Sequence, residues 1–159
     1  MEICVDLNGF LKDGRFICKE IAFASMGKSV LDCFVFETPD HLREYSRDNA
    51  WITIREQSFP FSEGDVPYNK IRSICERVAE RSFNFFVVGP EKAAYLKQIM
   101  PNDVRVETLD FLPGLLDSSY SNQPSCIRNH RNCALQNVLK MRDYILKYNA
   151  KNGIYVSYH

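Results

Sequence analysis

Two thiols and an imidazole fall close together in this 159-residue chain, as Cys126, His130 and Cys133 in the order Cys-x3-His-x2-Cys. Thiolate sulfur and imidazole nitrogen are ligands that zinc takes, usually four at a time and tetrahedrally. His130 and Cys133 stand three apart, so the first turn of a helix would bring both to one side. The set still lacks a fourth ligand, and its spacing is not a paired zinc-finger signature. On spacing alone two readings stand level: a metal site, or one core cysteine, one loop cysteine and an exposed histidine. A second candidate is Asp6, which ends an apolar run that begins at Ile3. A strand-end carboxylate suits two-metal phosphoryl chemistry when further acids join it, and caps a turn when none do.

Binding residues form a third group. Arg128, Arg131 and Lys140 lie near one another toward the C-terminus, as a basic patch for nucleic acid or as a solvated helix face. Trp51, Phe59, Phe61 and Tyr68 have rings that can stack on bases or pack on the protein's own core. The whole chain carries 20 basic and 20 acidic residues, a net charge of zero. Duplex binders carry a basic excess because phosphate contacts dominate their affinity, so the zero net charge argues against strong non-specific DNA binding. No P-loop, dinucleotide fingerprint or nucleophile elbow is present, which argues against nucleotide hydrolysis and serine-hydrolase chemistry. No apolar run is long enough to span a membrane, and the first residues lack the basic start of a secretory leader. The six cysteines are therefore expected to be reduced, inside the cell, in cytoplasm or nucleus.

The elements that must position these residues follow from periodicity and turn signals. Residues Ile3 to Leu7, Arg15 to Ala24 and Val30 to Phe36 read as three strands. Asn8-Gly9, Asp13-Gly14 and Gly27-Lys28 supply turn chemistry between them. Such short links suit an antiparallel meander. Ile71, Ile74, Cys75 and Val78 predict a helix over 69–81, Asn84 to Val88 a buried strand, and Gly89-Pro90 the start of a helix to Met100. Val104 to Thr108 predicts a fifth strand, and a last helix spans 132–148. Residues 40–47 read as a short helix, 51–62 and 111–125 as loops, and 154–158 as an edge strand or tail. The sum is one α/β domain over 1–159, a mixed five-stranded sheet of three antiparallel strands, then parallel βαβ strands, with helices on both faces.

That order is the order of the ribonuclease H-like fold, and two motifs sharpen the likeness. "VDLNGF" resembles the first motif of the DEDD-type 3′–5′ exonucleases, an Asp-x-Glu at a strand end, with Asn8 in place of the Glu. "VVGPEKAAYL" resembles their middle motif, with Ala93 or Ala94 where an Asp is expected. Their final His-x-Ala-x-x-Asp falls on residues 132–137, with Asn132 and Asn137 at both functional positions. One acid of four cannot assemble two metals, so two-metal exonuclease activity is expected to be absent, with weak ribonuclease activity the most that remains.

"CIRNHRNCALQNV" resembles the Cys, His and Cys-Ala-Leu segment of the Maelstrom domain, a degenerate ribonuclease H-like module of small-RNA pathways. In that family a Glu-Cys-His-Cys set binds zinc, and its Glu-Ile context on the second strand matches "KEIAF". The resemblance thus implies Glu20 as the fourth ligand beside Cys126, His130 and Cys133, and zinc as the cofactor. By alternation, Glu20 would otherwise share a solvent-facing side with Cys18 and Ala22. The implied function is a zinc-stabilised exonuclease-like module that binds single-stranded RNA or an RNA-silencing protein, without a membrane. An adaptor for protein partners on the same fold, with no nucleic-acid contact, is the other reading, and the neutral charge favours it.

Overall fold

The structure, a computed structural model, describes residues 2–12, 14–27, 30–39, 64–109 and 133–151. Five strands, β1 (Glu2–Lys12), β2 (Arg15–Ser25), β3 (Leu31–Val35), β4 (Asn84–Val88) and β5 (Arg105–Leu109), form one sheet in the order β3-β2-β1-β4-β5. β2 runs antiparallel to β1 and β3, while β4 runs parallel to β1 and β5. The sheet is therefore mixed, with β1 at its centre. Among the described residues three helices flank the sheet: α1 (Ile71–Ala79, entered through a 3-10 turn at Tyr68–Lys70), α2 (Pro90–Ile99) and α3 (Ala134–Lys151). Among the described residues no helix is long and apolar enough to cross a membrane.

A central strand is covered on both sides, and β1 reads accordingly. Ile3, Val5 and Leu7 point to one face, where Ile71, Ile74, Cys75 and Val78 of α1 and Ala93, Leu96 and Ile99 of α2 close the larger core. Each helix contributes a stripe spaced three and four residues apart, as an amphipathic helix must. Cys4 points the other way with Ala22 and Ala24 of β2, where Ala134, Val138 and Met141 of α3 close a smaller core. Small side chains on β1 and β2 let α3 lie close to the sheet. On that same face, past Cys4, β1 presents Asp6 and Asn8, both buried.

Two local features differ from the sequence reading. Asn8-Gly9 is not a turn: β1 continues through it to Lys12, which pairs with Arg15, and Gly14 just before Arg15 has φ 75°. A two-residue hairpin needs positive φ, which Gly accepts at no steric cost. The pairing also slips at this point, since Asn8 faces Glu20 while Gly9 faces Cys18, leaving Lys19 as an extra residue in β2. Such a bulge shifts the strand's alternation by one. Cys18 consequently joins the larger core with Ile21, and Glu20 turns to the α3 face with Ala22. The expectation that Cys18, Glu20 and Ala22 share one face fails for this reason, and Glu20 is fully buried rather than solvent-facing. Gly9 is required here by close approach, because a Cβ would lie 2.0 Å from the Ile17 carbonyl oxygen.

The bulged Lys19 is itself buried. Its Nζ donates to the Phe36 carbonyl at 2.5 Å and its own carbonyl accepts from the Phe36 amide, which ties the end of β3 to the bulge.

Candidate functional site

The described polar residues converge in the crevice where β4 ends beside β1 and the chain leaves for α2. In open α/β sheets this place, beyond the carboxyl ends of parallel strands at a switch in strand order, is where ligands bind. Gly89, at φ 97°, and Pro90, at the first helical position, turn the backbone sharply from β4 into α2. That turn places Lys92 in the first turn of the helix, above β1. Its Nζ lies 2.6 Å from Asp6 Oδ1, an ion pair with the carboxylate side chain 4% exposed and the lysine side chain 31%. The other carboxylate oxygen, Oδ2, accepts from Asn137 Nδ2 of α3 at 2.8 Å.

One step along β1, Asn8 Nδ2 donates to Glu20 Oε2 at 2.9 Å. The same oxygen accepts from the Ala134 backbone N–H at 3.3 Å. Cys133 is the N-cap of α3, since its carbonyl receives the helical bond of Asn137. Its own side chain is a poor cap, so the free N–H at the head of α3 is satisfied by a carboxylate reaching across from β2. A negative charge there also meets the positive end of the helix dipole. The remaining oxygen, Glu20 Oε1, faces two thiols: Cys33 Sγ of β3 at 3.5 Å and Cys133 Sγ at 3.8 Å.

The sequence-derived candidates can now be placed. Asp6 and Asn8, matched to the first exonuclease motif, and Asn137, matched to the last, are buried on one face of the sheet under α3. The α2 residue that faces it is Lys92 rather than Ala93 or Ala94: Ala93 is buried in the larger core and Ala94 is exposed. Glu20 and Cys133, 113 positions apart, are brought within 3.8 Å. Cys126, His130, Arg128, Arg131 and Asn132 lie outside the described residues, as do the readings for 40–47, 51–62, 111–125 and 154–158. Lys140 is half-buried on α3. Tyr68 packs edge-to-face on Phe36, 6.2 Å between centroids, which favours the core reading of that ring. Sequence reasoning missed Lys92 and Cys33. A lysine in an exposed helical turn carries no signal of its own, and Cys33 read as a small hydrophobe on a strand.

The donor chemistry at Glu20 suits zinc. Two ligands at about 2.0 and 2.3 Å from a tetrahedral centre stand about 3.5 Å apart, close to the separation of Glu20 Oε1 and Cys133 Sγ. Glu20 Oε2 accepts from amide donors and Oε1 from the Cys33 and Cys133 thiols, so a metal at Oε1 would take the place of thiol protons. Among the described residues no group of three His, Cys, Asp or Glu side chains could hold a metal ion, so a centre here needs ligands from beyond them. The other described thiols, Cys4, Cys18 and Cys75, are buried in the two cores. Burial pushes Cys4 and Cys75 up to about 12, and Cys18 well above its ordinary value, which keeps all three protonated.

A separate groove of about 740 Å³ runs between the β1–β2 hairpin and α2, lined by Arg15, Phe16, Glu91, Tyr95 and Gln98 among others. Phe16 and Tyr95 meet there edge-to-face at 4.9 Å. None of the crevice residues lines it. No family model, no curated protein and no solved structure matches the chain.

Proposed function

We propose that this chain is a catalytically degenerate exonuclease-like module of ribonuclease H-like architecture, stabilised by zinc and associated with RNA, on the pattern of the Maelstrom domain it resembles. The observation that carries the reading is the meeting of Asp6, Asn8 and Asn137 in one crevice, with Glu20 and Cys133 beside them. Asp6 and Asn8 lie in the segment that resembles the first exonuclease motif and Asn137 in the segment that resembles the last, far apart in the chain. Two-metal phosphoryl transfer needs several carboxylates around its cations; among the described residues the site holds Asp6, engaged by an ammonium and an amide, and Glu20, engaged by two N–H donors. Glu20, Cys126, His130 and Cys133 would hold the zinc. Four protein ligands leave no open position for a reactive water, so the metal's contribution is to fix the head of α3 to β2.

On this reading a single strand would bind beyond the carboxyl ends of β1 and β4, where open α/β sheets take their ligands. Arg128, Arg131 and Lys140 would supply phosphate contacts. The test is metal analysis of the full chain purified without chelator, joined to titration with single-stranded RNA at several salt concentrations. One zinc per chain and a steep loss of affinity with salt support the reading. A chain with no zinc refutes the metal assignment. Zinc without salt-dependent RNA binding instead selects the adaptor for protein partners, which the zero net charge favours.

A further inference from the structure

We propose that the groove between the β1–β2 hairpin and α2 docks a short extended segment of a partner protein, one carrying an apolar side chain flanked by an acidic and a basic residue. The groove encloses about 740 Å³, the size of a site that holds a ligand. Its helical wall is Glu91, Ala94, Tyr95 and Gln98, one stripe spaced three and four residues apart along α2. At 1.5 Å per residue that wall is about 10 Å long, room for about three residues of extended chain. The facing wall is the start of β2, where Arg15, Phe16 and Ile17 line it.

Phe16, Ile17 and Tyr95 are half-buried, while Arg15, Glu91, Ala94 and Gln98 are exposed, so the groove has an apolar floor and a polar rim. The floor is fixed. Phe16 and Tyr95 meet edge-to-face, and the Tyr95 hydroxyl donates to that of Tyr68. An apolar side chain laid on rings already held in place is buried at little ordering cost. The rim decides the class of occupant. Arg15 stands on one wall and Glu91 on the other, and among the described residues neither side chain has an ion pair or hydrogen bond. Nucleic acid carries charge of one sign, so its phosphates would meet Glu91 as well as Arg15. A peptide carries both signs and complements both walls. The groove shares no residue with the Asp6 crevice, so its occupant is independent of the zinc and RNA readings.

The experiment is fluorescence polarisation of the full chain with two capped, fluorescein-labelled peptides, Gly-Lys-Leu-Glu-Gly and its reverse, one for each direction along the groove. One of them should bind saturably. Replacing its Glu or its Lys by Gln should each weaken binding about 2- to 5-fold, the worth of an exposed ion pair. The first loss should vanish in Arg15→Gln and the second in Glu91→Gln, which identifies each partner. Ala94→Tyr fills the groove from an exposed helical position and should weaken binding about 10-fold or more. Gln98→Tyr, on the same exposed stripe, repeats that test, and circular dichroism checks the fold of each variant. Failure of both peptides to bind overturns the proposal. So does affinity unchanged by filling the groove, or charge losses that persist in Arg15→Gln and Glu91→Gln. An oligouridylate of the same length that displaces the peptide overturns it too, because the groove would then be an RNA site.

Discussion

Replacing Glu20 by alanine removes the acceptor on which two elements close. The amide of Asn8 loses its 2.9 Å partner and the first N–H of α3 loses its 3.3 Å partner. Both donors are buried, and a buried donor left unsatisfied costs about 1–3 kcal/mol. The second loss is also the loss of a helix cap carrying a charge, typically about 1 kcal/mol. Allowing for partial relaxation, Glu20→Ala should cost about 3–5 kcal/mol even in zinc-free protein, a large share of the 5–15 kcal/mol typical of a domain. Glu20→Gln keeps the volume and one carbonyl oxygen, which can still accept from both donors. It loses only the charge, and should cost about 1–2 kcal/mol in the same state. The assay is urea unfolding followed by circular dichroism after chelation, with the slope held constant between variants. A cost below about 1 kcal/mol for alanine, or a glutamine variant less stable than the alanine one, would refute the capping argument. A cycle with Asn8→Ala adds a control: much of the alanine penalty at Glu20 should vanish when the orphaned amide is gone.

Lys92→Met should destabilise the fold by about 1–3 kcal/mol, below the full value for a buried pair because the lysine side chain is 31% exposed and Asn137 still donates to Asp6; thermal unfolding measures it. Gly9→Ala should cost about 3 kcal/mol or more, since the new Cβ meets backbone that cannot step aside, and a well-folded Gly9→Ala protein of unchanged melting temperature would count against the bulge. Burial pushes the Cys4 and Cys75 thiols from 9.0 to about 12, so between those pH values the unfolded chain loses protons that the native one keeps. Stability should therefore be intact below pH 9 and fall as pH rises toward 12; unfolding curves that improve over that range would contradict the sign. Magnesium-dependent 3′–5′ digestion should be absent, and any residual ribonuclease activity should survive Asp6→Ala; activity abolished by that substitution would overturn the degenerate-site reading.

The sheet and its three flanking helices were legible because apolar spacing reports burial directly. Ile71, Ile74, Cys75 and Val78 predict the helix they form, and the order of elements correctly places β1 at the centre. The bulge was not legible. "FICKEIAF" alternates well enough to read as a plain strand, and Asn8-Gly9 carries the chemistry of a turn. Only the pairing of β1 with β2 reveals that Gly9 serves a close crossing over Ile17 and that Lys19 is the residue left over. That one-residue slip decides the site, because with regular alternation Glu20 and Cys18 would share a face. With the bulge, Cys18 enters the larger core and Glu20 alone turns toward α3.

The same limit explains Lys92. Its meaning comes from a charge 86 positions away, and no local pattern records that distance. The resemblance to exonuclease motifs drew attention to the amides at positions 8 and 137, and the buried Asp6 between them raises the question of what balances its charge. A buried carboxylate kept without its partners needs a cation, and the nearest covalently attached candidate is a lysine in the helix that follows β4. Glu20 answers the same need differently. It lies one pleat along the sheet, at the head of α3, where amide donors and a helix N-terminus hold the charge and leave one oxygen facing sulfur. Two buried anions on one sheet face thus carry separate compensation, one by an ammonium and one by the dipole end of a helix. A metal recruited at the second would therefore leave the first unchanged, and zinc removal should not alter the Asp6–Lys92 pair.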